Sequence, residues 1–412
     1  MQGTLPTAVQ SAVQPAPSAH ALDAHVVKTY GRSREVFVEG CGAHVRTAEG
    51  RVFLDFLGGI AVSALGHAHP RLVEALRDQV GKLVHTSNLY RHPYTEEVAT
   101  RLARLTGLEA MFFANSGAEA NECALKLSRK WQRLQGRPER TNFLALEGGF
   151  HGRTMGALSV THAKKYREAF EPLVPCCAWV APNDAAALEQ ALETIRPAAF
   201  IMEPIQGEAG VRDLSHDYLR AARELCTRTG TVLVHDEVQA GCGRTGTFLA
   251  GAQAGVLPDV ATLAKPIAGG LPMGVCAVAE PFVDTLQPGD HGTTFGGGPL
   301  ALRAALVFLE ELEERGLMRA VEERGAQLRR GLEALQARHA EIVELRGRGL
   351  IQGVRLSRGA EELQKALHEN GLLANRTGGD TIRLLPPFVV TEDDVSKALD
   401  IFAKSLSETL AA

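Results

Sequence analysis

No apolar run in this chain reaches the eighteen or so residues that a membrane-spanning helix needs, so no span is expected. There is no Lys or Arg before Lys28 and no basic stretch leading into an apolar one. Neither a secretory signal nor an Arg-rich transit peptide is read there, and a cytoplasmic location is the expectation. Residues 1–24, rich in Ala, Pro, Gln and Ser, read as a disordered tail. The seven cysteines, Cys41, Cys123, Cys176, Cys177, Cys226, Cys242 and Cys276, are odd in number and contain no C-x-x-C pair. That gives no disulfide framework and no metal site. The formal charge of −4 offers no electrostatic reason for a nucleic-acid or anionic-membrane partner. A G-x-x-x-x-G-K-[ST] run and a basic helix-turn-helix segment are also missing, which argues against a P-loop protein and a DNA-bound regulator.

What is present is 412 residues, 45% apolar and 22% charged, enough for two globular domains handling small molecules. Between about Leu105 and Val278, short apolar runs alternate with helical stretches, the pattern of an α/β fold with a mainly parallel sheet. The strands are predicted at Met111–Ala114, Phe143–Leu146, Ala198–Met202, Val232–Val234, Val260–Ala264 and Val275–Val278. Open α/β sheets bind ligands beyond the carboxyl ends of their strands, so chemistry is expected in those turns. After Pro299 come helices at 300–314 and 317–339, a broken strand at 342–356, a helix at 361–369, a strand at 381–385 and a last helix after Thr391. The reading is a large domain at 71–298 and a smaller α+β domain made of 25–70 and 299–412.

Three segments carry candidate chemistry. Asn115-Ser116-Gly117-Ala118-Glu119-Ala120-Asn121 opens a helix through an S-x-x-E capping box, with Gly117 and Ala118 leaving amides uncovered for a phosphate. Taken alone, it reads first as a plain cap, because capping boxes are common. The apolar strand Val232-Leu233-Val234-His235 runs into Asp236, a carboxylate that needs a cationic partner or donors if buried. A protonated ring nitrogen would serve, and so would the next turn. Lys265 ends the strand Val260–Ala264 and precedes Gly269-Gly270. A lysine whose pKa is lowered by burial is the type that forms Schiff bases, while a snorkelling lysine is the ordinary alternative.

Together with Phe-His-Gly-Arg-Thr at 150–154, Glu-Pro-Ile-Gln-Gly-Glu at 203–208, Asp-Glu-Val-Gln at 236–239 and His-Gly-Thr-Thr-Phe-Gly-Gly at 291–297, these segments resemble the class III, ornithine-type aminotransferases. The resemblance runs from about Tyr30 to the C-terminal helix. It implies fold type I with a seven-stranded large-domain sheet, and pyridoxal 5'-phosphate bound to Lys265 as a Schiff base. Gly117 and Ala118 would hold the phosphate and Phe150 would stack on the ring. Asp236 would pair with the ring nitrogen and Gln239 with the ring hydroxyl, with Glu237 and Val238 beside them. Thr294 would arrive from a second subunit of a homodimer. His151 is read as structural, because Lys265 already supplies a base.

Arg153, three residues after Phe150, is implied to bind a substrate carboxylate, with Thr293 also at the substrate site. Glu208 is implied to cover Arg383 while an ω-amine reacts, then to release it for the α-carboxylate of 2-oxoglutarate. A static salt bridge is the plainer alternative. Gly58-Gly59-Ile60-Ala61-Val62, Ser87-Asn88-Leu89-Tyr90 and the Thr293-Thr294 pair look most like the acetylornithine-type branch. That implies N2-acetyl-L-ornithine and 2-oxoglutarate as substrates, giving N-acetyl-L-glutamate 5-semialdehyde and L-glutamate. Succinyl-diaminopimelate is a further candidate, and free ornithine, succinylornithine, 4-aminobutyrate or carrier-linked lysine are alternatives. An aminomutase of the glutamate-semialdehyde kind is a remoter one. The pattern departs from the family at Gly298, Pro266, Ala268, Arg91 and His92, the last two near the expected substrate mouth.

Overall fold

The computed structural model describes residues 25–175 and 177–411, so the 1–24 tail expected above lies outside the described residues. At its centre is a seven-stranded sheet in the order 110–114, 274–278, 260–263, 232–236, 199–202, 143–146, 177–180. All pairings are parallel except those of Gly274–Val278, which runs antiparallel to both neighbours. The expected α/β architecture is the one observed. The strands Phe143–Leu146, Ala199–Met202, Val232–Asp236 and Val260–Leu263 are buried along their whole length, as parallel strands covered on both faces must be. Two apolar clusters, one including Leu127, Phe143 and Ile201 and the other Leu144, Phe200 and Leu219, occupy the two faces.

The antiparallel strand matters for the site. Because it runs the other way, its first residue, Gly274, pairs with Ala114 at the same sheet edge where the parallel strands end. The turn before it, Gly270–Met273, is thereby delivered to that edge. A Cβ on Gly274 would lie 2.1 Å from the Ser116 carbonyl oxygen, so only glycine lets the strand start this close to the helix that follows Ala114.

Two four-stranded sheets adjoin this core. Ile342–Arg348, Ile351–Leu356, Thr381–Leu384 and Asn375–Thr377 form an antiparallel sheet. Its inner strand Thr381–Leu384 carries Arg383, which is fully buried. Phe37–Cys41, His44–Thr47 and Val52–Asp55 form a second, extended by Leu372–Leu373 lying parallel to Val52–Asp55. Beyond it, the chain turns through left-handed residues Gly58–Ala61, and Val62 reaches the edge of the large sheet. The Gly58 position admits no side chain, since a Cβ there would meet the Leu385 oxygen at 2.6 Å.

Candidate active site

At the carboxyl edge of the seven-stranded sheet lies a cleft of about 420 Å3, lined among others by Ser116, Gly117, Ala118, Phe150, Asp236 and Lys265. Strand ends supply most of its polar groups, in accord with the crevice rule for open sheets. Asp236 ends Val232–Asp236, Glu203 follows Ala199–Met202, and Lys265 sits two residues past Val260–Leu263. Lys265 adopts φ +48°, a conformation that costs a non-glycine residue energy and is held here by the surrounding turn. Its Nζ makes no hydrogen bond or ion pair among the described residues. Burial pushes its pKa below the ordinary lysine value, against the pull of Asp236, Glu208 and Glu203.

Asp236 forms the floor and is almost fully buried. Its Oδ2 accepts from Asn121 Nδ2 at 2.8 Å and lies 2.8 Å from His151 Nδ1, while its Oδ1 accepts from the Val238 amide at 3.1 Å. Asn121 is itself locked: Thr262 Oγ1 donates to its Oδ1 at 2.7 Å, and its Nδ2 also donates to the His151 carbonyl at 2.7 Å. The amide orientation is therefore dictated, and with it the position of the carboxylate. His151, read as structural from sequence, contacts the Asp236 carboxylate directly; its Nε2 is buried without a partner among the described residues. Sequence reasoning gave no role to Asn121, Thr262 or Glu203. Asn121 sits one turn past Gly117 on the same helix face, a spacing that could have flagged it.

Glu203 is also buried, and its Oε1 accepts from the Phe150 amide at 2.9 Å. Burial and the neighbouring Asp236 carboxylate push its pKa well above the carboxylate range. The structure does not bring Glu237 to the cleft. Its carboxylate turns the opposite way, accepting from the Ala250 and Gly251 amides at 2.9 and 2.8 Å, because successive side chains of an extended strand alternate sides. Burial pushes its pKa up to about 7.

The helix Gly117–Leu134 begins as expected, with the Glu119 amide donating to Ser116 Oγ at 3.2 Å. The box is shifted on its other side. Glu119 Oε2 accepts from the backbone and side-chain nitrogens of Asn115, at 2.6 and 2.9 Å, one residue upstream of the cap. At Gly117 an added Cβ would sit 2.7 Å from Val238 Cγ1, so the helix start stays bare where it faces the cleft. Bare amides at a positive helix end are an anion site.

Arg153 is exposed, with its guanidinium carbon 3.9 Å from the Tyr166 ring centroid and 5.5 Å from that of Phe150. It makes no ion pair among the described residues, so its hydrogen-bonding fork is free for a carboxylate. Arg383 is engaged instead: its Nη1 donates to Glu208 Oε1 at 2.5 Å and Gln239 Oε1 at 2.8 Å, and its Nε to Asn375 Oδ1 at 3.2 Å. Burial alone would raise the Glu208 pKa, but the Arg383 charge and hydrogen bond outweigh it and hold the carboxyl low. Gln239 lines the cleft while its side-chain oxygen is taken by Arg383.

Thr293 and Thr294 are not in this cleft. Thr294 is exposed, and Thr293 lines a separate depression with Asn88, Phe112 and His291, accepting from Asn115 Nδ2 at 3.1 Å. Within one chain, these two do not meet Lys265.

A free, pKa-lowered amine, a buried carboxylate, bare helix-start amides and an aromatic face fit a phosphorylated heteroaromatic aldehyde. Known proteins agree with that chemistry. The chain is 40% identical to the acetylornithine aminotransferase of Nostoc sp., over all of this chain and 98% of that protein. Among solved structures, an ornithine aminotransferase from Toxoplasma gondii, described with partial PLP occupancy at its active site, superposes with a TM-score of 0.91. It shares 34% identity and matches 95% of this chain and 94% of that one. The N-acetylornithine aminotransferase of Stenotrophomonas maltophilia superposes with a TM-score of 0.82 at 35% identity, over 93% of this chain and 98% of that one. A family model described as aminotransferase class-III matches residues 29–406, and the chain belongs to that family of pyridoxal-phosphate-dependent enzymes.

Proposed function

We propose that this enzyme transfers the δ-amino group of N2-acetyl-L-ornithine to 2-oxoglutarate, giving N-acetyl-L-glutamate 5-semialdehyde and L-glutamate. The observation that carries the reading is the free Arg153 fork at the mouth of the cleft that holds Lys265, a carboxylate site set apart from the reacting amine. The names of the relatives supply the acetyl group. When bound, pyridoxal phosphate supplies an electron-poor ring able to take up an electron pair from the carbon that bears the amine.

The chain's own residues do the rest. Lys265 Nζ would hold the cofactor and, when free of it, would serve as the base that moves the proton, a task suited to its lowered pKa. Asp236, fixed by Asn121 and His151, keeps the ring nitrogen protonated. Gly117 and Ala118 hold the phosphate, and Phe150 covers the ring face. Glu208 shields Arg383 from the donor's carboxylate and yields it to the α-carboxylate of 2-oxoglutarate.

A homodimer is part of the proposal. The exposed Leu89, Tyr90 and Phe295 lie on segments joined where Asn88 Nδ2 donates to the Thr293 and Gly296 carbonyls, and an apolar surface of that kind suits a second copy that receives Thr294. Division into 71–298 and 25–70 plus 299–412, and a cytoplasmic location, belong to the same reading. No helix among the described residues is long and apolar enough to cross a membrane.

The superposition on an ornithine aminotransferase favours free ornithine as the second reading. Stopped-flow absorbance, with each donor mixed alone and no keto acid present, separates them. Loss of the yellow lysine-bound colour is expected to be much faster with N2-acetyl-L-ornithine. Faster loss with ornithine would replace the acetylornithine reading, and a protein that never turns yellow with added pyridoxal phosphate would end both.

A further inference from the structure

Arg153 is exposed, flexible by nature and free of any anionic partner among the described residues, yet the proposed reaction needs its fork held in one place. We propose that Tyr166 is the positioning residue that holds it. The guanidinium carbon lies 3.9 Å from the Tyr166 ring centroid, close enough for a cation–π contact, against 5.5 Å for Phe150. The two rings meet edge to face with centroids 6.0 Å apart, an arrangement that gives the guanidinium an aromatic corner.

This mode of restraint has a chemical consequence. A salt bridge would consume the N–H donors that a substrate carboxylate requires, whereas stacking grips the guanidinium through its π-plane and leaves the donors at its edge free. Tyr166 is half-buried in the helical turn Lys164–Arg167, and no hydrogen bond of its hydroxyl is formed among the described residues. The ring, not the hydroxyl, is therefore the working part. Lys165, with Nζ 5.0 Å from the same centroid, adds positive charge at this mouth. Tyr166 thus sets affinity for donors that carry a carboxylate remote from the reacting amine, without touching the proton-transfer machinery.

The inference rests on Arg153 being the carboxylate site, and the experiment separates the two ideas. Tyr166→Leu, Tyr166→Phe and Arg153→Ala holoenzymes are compared by steady-state kinetics with N2-acetyl-L-ornithine and with 1,4-diaminobutane, which lacks the carboxylate. Calorimetric binding of N-acetyl-L-norvaline, the donor without its reactive amine, is measured in parallel. The expected result for Tyr166→Leu is a KM and a norvaline-analogue Kd raised about three- to fivefold, the scale of a lost cation–π contact at an exposed site, with kcat within about twofold. Tyr166→Phe stays within about twofold of the parent, and kcat/KM for the diamine is unchanged in both. Arg153→Ala raises the same KM and Kd further. If Arg153→Ala leaves them unchanged, the carboxylate site itself is wrong. If Arg153→Ala raises them and Tyr166→Leu does not, the positioning role is refuted. Equal loss in Tyr166→Phe, or equal loss with the diamine, also overturns it, the first by implicating the hydroxyl and the second by marking a general structural defect.

Discussion

Replacing Glu208 by Gln isolates the charge that guards Arg383. The amide keeps the size of the side chain and an oxygen able to accept from Nη1, so what is lost is the charge-assisted part of the 2.5 Å contact. A hydrogen bond between ions contributes about 1.5–3 kcal/mol and a neutral one about 0.5–1.5. The Glu208 side chain is 30% exposed, so solvent screens the pair and the lower end applies. A difference of about 1.4 kcal/mol corresponds to about tenfold in an equilibrium. Among the described residues, Arg383 is buried with Nη2 unpartnered and with only neutral acceptors, Gln239 and Asn375, beside its glutamate. Freed from Glu208, it binds any α-carboxylate more readily. In single-turnover half-reactions followed by cofactor absorbance, the apparent Kd for L-glutamate is expected to fall about tenfold. The half-reaction with N2-acetyl-L-ornithine slows, because its carboxylate can then settle on Arg383 with the amine misplaced. The ratio of the two specificity constants shifts toward glutamate by at least about tenfold. A change of both half-reactions by the same factor would refute the gate and leave a static salt bridge.

Two further outcomes follow from packing and titration. Gly274→Ala forces a Cβ to within 2.1 Å of the Ser116 carbonyl, a backbone atom that cannot swing aside; an overpacking cost of about 1–3 kcal/mol is expected. Because Ser116 caps the helix proposed to hold the phosphate, equilibrium titration should show pyridoxal phosphate bound at least about tenfold more weakly, and unchanged affinity would contradict that assignment. His235 is fully buried, neither ring nitrogen has a partner among the described residues, and burial pushes its pKa down to about 3. The unfolded chain takes up that proton below about 6.5 and the folded one does not, so its contribution is complete above 6.5 and declines as the pH falls toward 3. Thermal melts of His235→Leu should lose stability less steeply across that window, by up to about 1.4 kcal/mol per pH unit, whatever the absolute Tm; parallel pH profiles would dismiss the burial argument.

Most of the large sheet was legible because buried parallel strands are apolar runs, and the expected and observed ends differ by one or two residues at most. The edge strand Cys177–Val180 was missed: it is four residues long and only its last is buried, so it carries no clear run. The direction of Gly274–Val278 was equally hidden, since an apolar run reads the same both ways. At the site, Lys265, Asp236 and the helix start at Gly117 were readable as polar or small residues interrupting apolar elements. Asn121, Thr262 and Glu203 were not, because their roles come from contacts with residues distant in sequence. The Glu237 carboxylate lies away from the cleft. Alternation along the strand turns it away once Asp236 faces the cleft, and the sequence alone contains that rule.

The parts of the cleft share one physical property, which is that each is costly in isolation. Lys265 combines a positive φ with a half-buried side chain whose amine has no hydrogen-bond or ion-pair partner among the described residues. Burial and the neighbouring Asp236 carboxylate together oppose ionisation of Glu203. Gly117 exposes a helix start that a larger residue would have covered. Large apolar clusters on both faces of the sheet supply the stability that tolerates these defects. In the proposed reading, a ligand carrying an anion, a basic ring nitrogen and an aldehyde would satisfy the helix start, Asp236 and Lys265 together. Cofactor affinity and the relief of local destabilisation are then one quantity. Asn121, held by Thr262, and His151 fix the position of the Asp236 carboxyl through hydrogen bonds.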